Sequence, residues 1–316
     1  MKTIRILVVP VAAFVALFLS LAMVHAQDYP TKPITIVVGY SAGGGTDTVV
    51  RGLTPLLSQK LGETILVQNK GGAGGGVAAH AVSKSKADGY TLLATTSSTF
   101  SLEPQINRTV YSNDDFVHVA SIGQFQGVMF TKADKPFNTL QELIEFARKE
   151  GRTIKSASYF QLDKMVIRAI KSKEGIEIIP MPVKGGNGAI QAVLGGEVDM
   201  AYSGGSWAQH VKSGAAKLLF ATSYNHLKMA PDLVSMKDLG YDFGTTNYLT
   251  VSAPAGTPQE ILVRFSKALE ATMSDPSVEK LGRSRNMDLS YLGQKETNQV
   301  IVDEITAFKQ ILSKGD

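Results

Sequence analysis

Three glycine-rich segments carry the residues best suited to chemistry in this sequence, and that chemistry is the binding of an anion. They are residues 43–45, 71–76 and 185–186, and each follows an apparent strand. Where such a turn opens a helix, the first backbone N–H groups lack an intrahelical acceptor and meet the positive end of the helix dipole. The alternative is that the glycines serve only to form tight turns, because glycine tolerates the positive φ that such turns require. Several such loops on one rim of a sheet favour a binding site.

None of these segments matches a nucleotide-binding motif. A G-x-G-x-x-G pattern that begins at Gly43 ends on Thr48, and one that begins at Gly72 ends on Val77. The Gly-Lys-Ser/Thr of a P-loop does not occur in the sequence. We therefore expect no nucleotide and no other cofactor.

The sequence does not contain a recognisable set of catalytic residues. Ser203 precedes Gly204-Gly205 in a segment one residue away from a nucleophile elbow. No Asp or Glu lies between Ser203 and His226, although the α/β-hydrolase order requires an acid there. The histidines are isolated and the chain has no Cys, so we expect neither a metal site nor a cysteine nucleophile. The sequence predicts a binding protein rather than an enzyme, with a secreted hydrolase that uses Ser203 as an alternative.

The elements that would position these loops alternate between short apolar strands and amphipathic helices, which predicts an α/β fold. A strand over Ile34–Val38 leads into the first glycine turn. A helix then begins with Thr46 or Asp47 as its cap and places Val50, Leu53, Leu57 and Leu61 on one face. Further strands are expected at 64–68, 91–94, 153–157, 176–179, 198–202, 218–222 and 248–253 and near 289. Further helices are expected at about 163–172, 188–194 and 207–212 and from about 296.

Helix boundaries are marked most clearly at two places. Thr139 and Glu142 have the spacing of a capping box. Thr257-Pro258-Gln259-Glu260 combines an N-cap residue, a proline at the first helical position and the box glutamate. We predict a helix that begins at each of them.

The N-terminus has the form of an export signal. Lys2 and Arg5 precede a long apolar run, and small residues stand before a cleavage position after Ala26. An uncleaved membrane anchor is the alternative, because the run is long enough to span a bilayer. We expect residues 1–26 to be a signal peptide and the protein to be periplasmic.

The remaining chain of about 290 residues is long for one core and suits two lobes. Without the two basic residues of the leader, the formal charge of +4 falls to +2. A nearly neutral chain lacks the clustered basic face that nucleic acid requires.

The sequence also resembles a known family, and the matching segments run in order through nearly the whole chain after the leader. They are Tyr29-Pro30-Thr31-Lys32-Pro33-Ile34, Ala42-Gly43-Gly44-Gly45-Thr46-Asp47, Asn69-Lys70-Gly71-Gly72-Ala73-Gly74-Gly75, Ala87-Asp88-Gly89-Tyr90-Thr91-Leu92-Leu93, Lys184-Gly185-Gly186, Leu194-Gly195-Gly196-Glu197-Val198-Asp199 and Ala253-Pro254-Ala255-Gly256-Thr257-Pro258. These segments resemble the solute-binding receptors of tripartite tricarboxylate transporters, also called Bug proteins.

The resemblance implies a two-lobed periplasmic-binding-protein fold of type II, a Venus flytrap with a mixed sheet in each lobe. Lobe one would comprise residues 27–125 and 247–316, and lobe two residues 126–246. The ligand, a small organic molecule that bears a carboxylate, would lie between them. The partners implied are integral membrane permease subunits, and we expect a monomer. A periplasmic sensor subunit that serves a signalling receptor is the alternative function.

The resemblance also implies site residues, because ligand carboxylates in the family are held largely by backbone amides of facing loops. In lobe one, Asp47 would order the first loop while the loop and a strand end supply donors. These donors are expected on Tyr40, Ser41, Ala42, Gly43, Gly44, Thr46, Thr96, Ser97 and Ser98.

Lobe two departs from the family at three points. Ser158-Tyr159-Phe160-Gln161 replaces a loop of small residues, Val183 replaces a tyrosine before Lys184 and Gly185, and Ser203 replaces an aspartate. We include Ser158, Tyr159, Phe160, Gln161, Lys184, Gly185 and Ser203 in the expected site. Tyr159 and Phe160 would either stack on an aromatic ligand or pack inside lobe two.

Overall fold

The computed structural model describes residues 29–313. The expected signal peptide and its cleavage position after Ala26 lie outside the described residues. No helix among residues 29–313 combines the length and the apolarity needed to cross a membrane.

The described chain alternates strands and helices. The strands are β1 (Ile34–Val38), β2 (Ile65–Asn69), β3 (Thr91–Thr96), β4 (Phe116–Phe125), β5 (Val128–Lys132), β6 (Ile154–Ser158), β7 (Ile178–Pro182), β8 (Met200–Ser203), β9 (Ala216–Ala221), β10 (Tyr248–Pro254) and β11 (Met287–Asp288). The α-helices are α1 (Gly45–Leu61), α2 (Gly76–Ser83), α3 (Ser98–Ser101), α4 (Glu103–Ile106), α5 (Leu140–Lys149), α6 (Gln161–Glu174), α7 (Gly185–Leu194), α8 (Ala208–Lys212), α9 (Gln259–Met273), α10 (Pro276–Arg285) and α11 (Gln294–Ser313).

The strands form two mixed sheets, one for each lobe. In lobe one the order is β11-β4-β10-β3-β1-β2, with β1 parallel to β2 and β3 and with β10 antiparallel to β3 and β4. In lobe two the order is β7-β6-β8-β5-β9, with β6 parallel to β7 and β8 and with β5 antiparallel to β8 and β9. The expected α/β class with a mixed sheet in each lobe is confirmed.

The core of lobe one follows from the sequence periodicity. Ile34, Ile36 and Val38 are buried on β1, and the face of α1 that carries Val50 and Leu53 packs against them. Residues spaced three and four apart lie on one side of a helix, so this face buries its apolar surface against the sheet. The packing fixes the start of α1 at the end of β1.

The chain crosses between the sheets at two adjacent places. Strand β4 of the first sheet ends at Phe125, and β10 of the same sheet follows Asn247, whose carbonyl accepts a hydrogen bond from the Phe125 N–H at 3.0 Å. The next N–H, that of Gln126, donates to the carbonyl of Gly204 in lobe two at 3.1 Å. The two crossings therefore form one hydrogen-bonded hinge.

The last helix contacts both lobes. Ile301 of α11 packs in a cluster with Val37 and Ala78 of lobe one, whereas Phe308 lies in the core of lobe two. The Phe308 and Phe243 rings meet edge to face with centroids 6.2 Å apart. This helix thus ties the lobes together on the side of the hinge.

Two predicted helix caps differ from the structure. The cap of α1 is Gly44, and Asp47 lies inside the first turn. Helix α9 begins at Gln259, and the Thr257 hydroxyl donates to the carbonyl of Pro254 at 2.7 Å instead of capping the helix. The predicted cap at Thr139 is present, since Thr139 Oγ1 accepts from the Glu142 N–H at 3.1 Å, but the Glu142 carboxylate accepts from the Asn138 N–H at 2.6 Å and does not complete a capping box.

Candidate functional site

Asp47 holds the first loop at the end of β1. Its Oδ2 accepts from the Gly43 N–H at 2.8 Å, and its Oδ1 accepts from Arg51 at 2.9 Å and from Asn69 at 2.8 Å. Burial alone would raise the pKa of Asp47, but these donors and the Arg51 charge lower it below its usual range. Asp47 is therefore a fixed anion whose charge is compensated locally, in agreement with the ordering role expected of it.

The same loop leaves backbone donors at the start of α1. The N–H of Gly43 is bound by Asp47, and that of Gly44 donates to the Ser41 carbonyl at 3.2 Å. The N–H groups of Gly45 and Thr46 lie in the first helical turn, where the helix supplies no acceptor. Ser41 and Ala42 are exposed at the tip of the loop. Of the expected loop donors, the geometry favours those at the helix start.

A row of hydroxyl groups adjoins this loop. Tyr40 Oη lies 2.6 Å from Thr96 Oγ1, which lies 2.8 Å from Ser98 Oγ. Tyr40 Oη also donates to the Gly74 carbonyl at 3.3 Å, and burial raises the pKa of this phenol. The row stays protonated at neutral pH and presents only neutral hydrogen-bonding groups.

Ser97 points away from this row. Its hydroxyl donates to Glu304 Oε1 at 2.8 Å and accepts from the Tyr248 N–H at 3.0 Å. Ser97 has no exposed surface. The structure therefore places Ser97 in contact with the hinge rather than beside Thr96 and Ser98.

In lobe two, an internal carboxylate occupies the loop before α6. Asp163 Oδ1 accepts from the Ser158 hydroxyl at 2.7 Å, and Oδ2 accepts from the N–H groups of Tyr159 and Phe160 at 2.9 and 3.0 Å. Asp163 has no exposed surface. Three of the residues expected in the site thus donate hydrogen bonds to Asp163, and Gln161 follows them as the half-buried first residue of α6.

The side chains of this loop form an aromatic wall with Tyr202. The Tyr159 and Phe160 rings stack at 21° with centroids 6.4 Å apart, and each centroid lies within 6.4 Å of that of Tyr202. Tyr159 and Phe160 are half-buried, whereas Tyr202 is 3% exposed. The rings therefore pack on lobe two and still present some surface.

The two lobes approach each other closely around this wall. Tyr40 of lobe one lies near enough to interact electrostatically with the phenols of Tyr159 and Tyr202. The Phe125 ring at the hinge lies between the loops, since Cβ atoms built on Gly45 and Gly204 would stand 3.1 and 3.4 Å from it. Helix α1, the hinge and the aromatic wall thus meet in one place between the lobes.

The other expected residues of lobe two lie around this wall. Ser203 is fully buried and its hydroxyl lies 3.2 Å from Ser206 Oγ, a partner unlike the histidine that a catalytic serine requires. Lys184 and Gly185 are exposed at the start of α7. The next residue, Gly186, lies near Tyr159, since a Cβ built on it would stand 3.5 Å from the Tyr159 hydroxyl. Among residues 29–313 no three His, Cys, Asp or Glu side chains are grouped to hold a metal ion.

Four residues of this region were not predicted as site residues from the sequence: Phe125, Asp163, Tyr202 and Glu304. Asp163 carried a usable signal, because an acid three residues after a helix start commonly binds the preceding N–H groups. The others are defined by contacts over long sequence separations. No local pattern in the sequence marks them.

A two-lobed α/β protein with a hinge between its lobes has the architecture of a solute-binding protein. Residues 49–316 match the family model described as the tripartite tricarboxylate transporter family receptor, TctC. The chain belongs to this family, which confirms the resemblance found in the sequence. It is 29% identical over 314 residues to protein BugT of Bordetella pertussis, with 96% of this chain and 95% of that protein covered.

Solved structures agree with the fold. The periplasmic binding protein BugD is 26% identical, with a TM-score of 0.79 over 91% of this chain and 98% of that one. The R. palustris protein Rpa4515 with adipate has a TM-score of 0.82 at 23% identity, with 91% of this chain and 98% of that chain covered. The latter likeness concerns the fold alone.

Proposed function

We propose that this protein is exported to the periplasm, where it binds a small organic carboxylate in the interlobe cleft and delivers it to a tripartite tricarboxylate-type permease. The observation that carries the proposal is the start of α1, where Gly45 and Thr46 present N–H groups that the helix leaves without acceptors. The dipole of a helix of 17 residues adds a positive potential at the same point.

The surroundings of this helix start favour a carboxylate over other ligands. Asp47 is neutralised by Arg51 and by three hydrogen bonds, so its charge opposes an incoming anion only weakly. The hydroxyls of Tyr40, Thr96 and Ser98 adjoin the loop and offer neutral donors. The fold is also one that holds adipate in the R. palustris protein.

The division of the chain follows the same proposal. Residues 1–26 would be removed on export, residues 27–125 and 247–316 would form lobe one, and residues 126–246 would form lobe two. The ligand would stabilise the closed state because it contacts both lobes at once. The closed monomer would then bind the permease subunits.

A thermal-shift assay tests the carboxylate site directly. A ligand that binds only the folded protein raises the melting temperature with concentration. We expect benzoate or hexanoate to raise it. Gly45→Asp should abolish the shift, because the new carboxylate would occupy the helix start, whereas Gly45→Ala, whose Cβ would meet Phe125 in the same way, should retain it.

Gln59→Glu is the matched control. It adds a negative charge to an exposed position near the other end of the same helix and should leave the shift intact. If Gly45→Asp retained the full shift, the ligand would not be bound at α1.

A further inference from the structure

We propose that Asp163 restricts the cleft to ligands with a single carboxylate, whose uncharged, flat remainder lies against Tyr159, Phe160 and Tyr202. The inference rests on the proposed function, because it takes one carboxylate to be held at α1. The end of the ligand opposite this carboxylate would be uncharged and flat, and Asp163 would select it.

In the loop before α6 the donors are already used. The Ser158 hydroxyl and the N–H groups of Tyr159 and Phe160 all donate to Asp163 at 2.7 to 3.0 Å. A second ligand carboxylate at this loop would need these donors, and Asp163 would have to release them. A released Asp163 would be a buried carboxylate without partners, which is strongly unfavourable.

The charge of Asp163 also opposes a second ligand carboxylate in lobe two. Asp163 lies in the first turn of α6 and offsets the positive end of that helix. Burial raises the pKa of Asp163, whereas its three hydrogen-bond donors and the Lys164 charge favour the ionised form. An ionised Asp163 repels a ligand carboxylate nearby, because charges in a buried setting are poorly screened. The cations around this wall, Lys164 and Lys184, are exposed to solvent, so each would compensate a second carboxylate only weakly. The buried Glu103 on the side of lobe one adds another acid that interacts with Lys164.

The aromatic wall of Tyr159, Phe160 and Tyr202 presents apolar surface and no charge. Three rings with centroids within 6.4 Å of one another present apolar surface that suits a flat ligand. Tyr202 is 97% buried, and among residues 29–313 its hydroxyl has no hydrogen-bond partner. Such a hydroxyl suits a neutral polar group on the ligand. The wall is therefore complementary to an uncharged ring or chain with at most a neutral polar substituent.

Isothermal titration calorimetry with two matched ligand pairs tests this inference. Benzoate and terephthalate share a ring, and hexanoate and adipate share a chain length, so each pair differs only in the second carboxylate. We expect the wild-type protein to bind the monocarboxylate at least about tenfold more tightly in each pair. Asp163→Asn should reduce this ratio to within about threefold, since the repelling charge is removed and the side-chain oxygen can still accept hydrogen bonds.

A control variant separates a change in the site from a change in stability. Asp275→Ala removes the cap of α10, where Asp275 accepts from the Ser277 N–H at 2.9 Å, and should leave both affinities unchanged. If Asp163→Asn fails to fold, the wild-type ratios decide the question.

The outcomes are distinguishable from a failure of the proposed function. Equal or tighter binding of terephthalate and adipate by the wild type would overturn the inference and leave a carboxylate receptor. An unchanged ratio in a folded Asp163→Asn variant would show that another residue selects the ligand. If none of the four acids bound, while a cationic or neutral compound did, the proposed carboxylate site itself would be wrong.

Discussion

Ser97 and Glu304 are 207 residues apart, and the Ser97 hydroxyl donates to Glu304 Oε1 at 2.8 Å. Oε1 also accepts from the Thr246 hydroxyl at 3.0 Å, just before the chain re-enters lobe one. Oε2 accepts from the Ser101 hydroxyl at 2.7 Å. Glu304 lies on α11 between Ile301, which packs on lobe one, and Phe308, which packs on lobe two. A buried acid therefore stands where the last helix, the hinge and the end of β3 meet.

Glu304 should make the protein less stable as the pH rises from about 4.5 to 7. Burial raises the pKa of Glu304 from 4.5 to about 7, although three hydroxyl donors oppose the rise. The folded state therefore keeps a proton that the unfolded chain loses, so the stabilisation is complete below pH 4.5 and is lost as the pH rises through 7. Glu304→Gln should remove this dependence and raise the unfolding free energy at pH 8 by about 2 to 3 kcal/mol relative to the wild type.

Urea denaturation of both proteins at several pH values measures the difference. The exposed Glu145→Gln on α5 serves as the control and should follow the wild type at every pH. A wild-type minus Glu304→Gln difference that is constant from pH 4.5 to 8 would contradict the prediction.

Asp199 should give the opposite dependence on pH. Its carboxylate binds both terminal nitrogens of Arg152 at 2.6 and 2.9 Å and accepts from the Lys155 N–H at 2.9 Å. Burial would raise the pKa of Asp199, but these partners lower it overall. Its stabilisation is therefore present at neutral pH and is lost as the pH falls through the lowered pKa. Asp199→Asn should destabilise the protein by about 2 kcal/mol at pH 7 and by less near pH 3.

The exposed ion pair of Asp134 with Lys132, at 2.8 Å, provides the comparison. Asp134→Asn should leave the unfolding free energy almost unchanged at either pH, because an exposed ion pair contributes little. Equal losses for the two variants in urea denaturation would show that the burial of Asp199 is unimportant.

Much of the fold could be predicted from the sequence because its signals are local. The strand Ile34–Val38 agrees with β1, and the face of Val50 and Leu53 agrees with α1. Strands β4 and β5 were not predicted, because they are buried on both faces and lack an alternating pattern. The cap at Thr257 was wrong because its hydroxyl finds the Pro254 carbonyl, a competing acceptor that the sequence pattern does not reveal.

The site could be predicted only in part, for a different reason. The glycine turn at residues 43–45 was recognisable from the sequence because it precedes a helix start, and the family resemblance added Tyr40 and the ordering role of Asp47. The orientation of Ser97 depends on Glu304 at the far end of the chain. The role of Asp163 depends on α6 beginning at Gln161, which brings its carboxylate back to the Tyr159 and Phe160 amides. Whether the expected residues bind a ligand stays a prediction.

Removal of the Asp47 carboxylate should weaken ligand binding more than it weakens the fold. Asp47→Ala frees the Gly43 N–H, Arg51 and Asn69, so the loop at the start of α1 loses its fixed conformation. We expect the affinity for benzoate to fall at least about tenfold and the unfolding free energy to fall by about 1 to 2 kcal/mol. Calorimetry and urea denaturation measure the two effects. Asp275→Ala, which removes a cap on α10, should lower stability without any loss of affinity.

The Tyr202 hydroxyl should contribute to binding only when the ligand carries a polar group opposite the carboxylate. Tyr202→Phe should leave the unfolding free energy within about 1 kcal/mol, because the hydroxyl has no hydrogen-bond partner among the described residues. The affinity for 4-hydroxybenzoate should fall about tenfold while that for benzoate stays unchanged, since only the former can bond to the hydroxyl. Tyr224→Phe, at a tyrosine that is 41% exposed, should change neither affinity. An equal loss for both ligands in Tyr202→Phe would mean that the ring, rather than its hydroxyl, contacts the ligand.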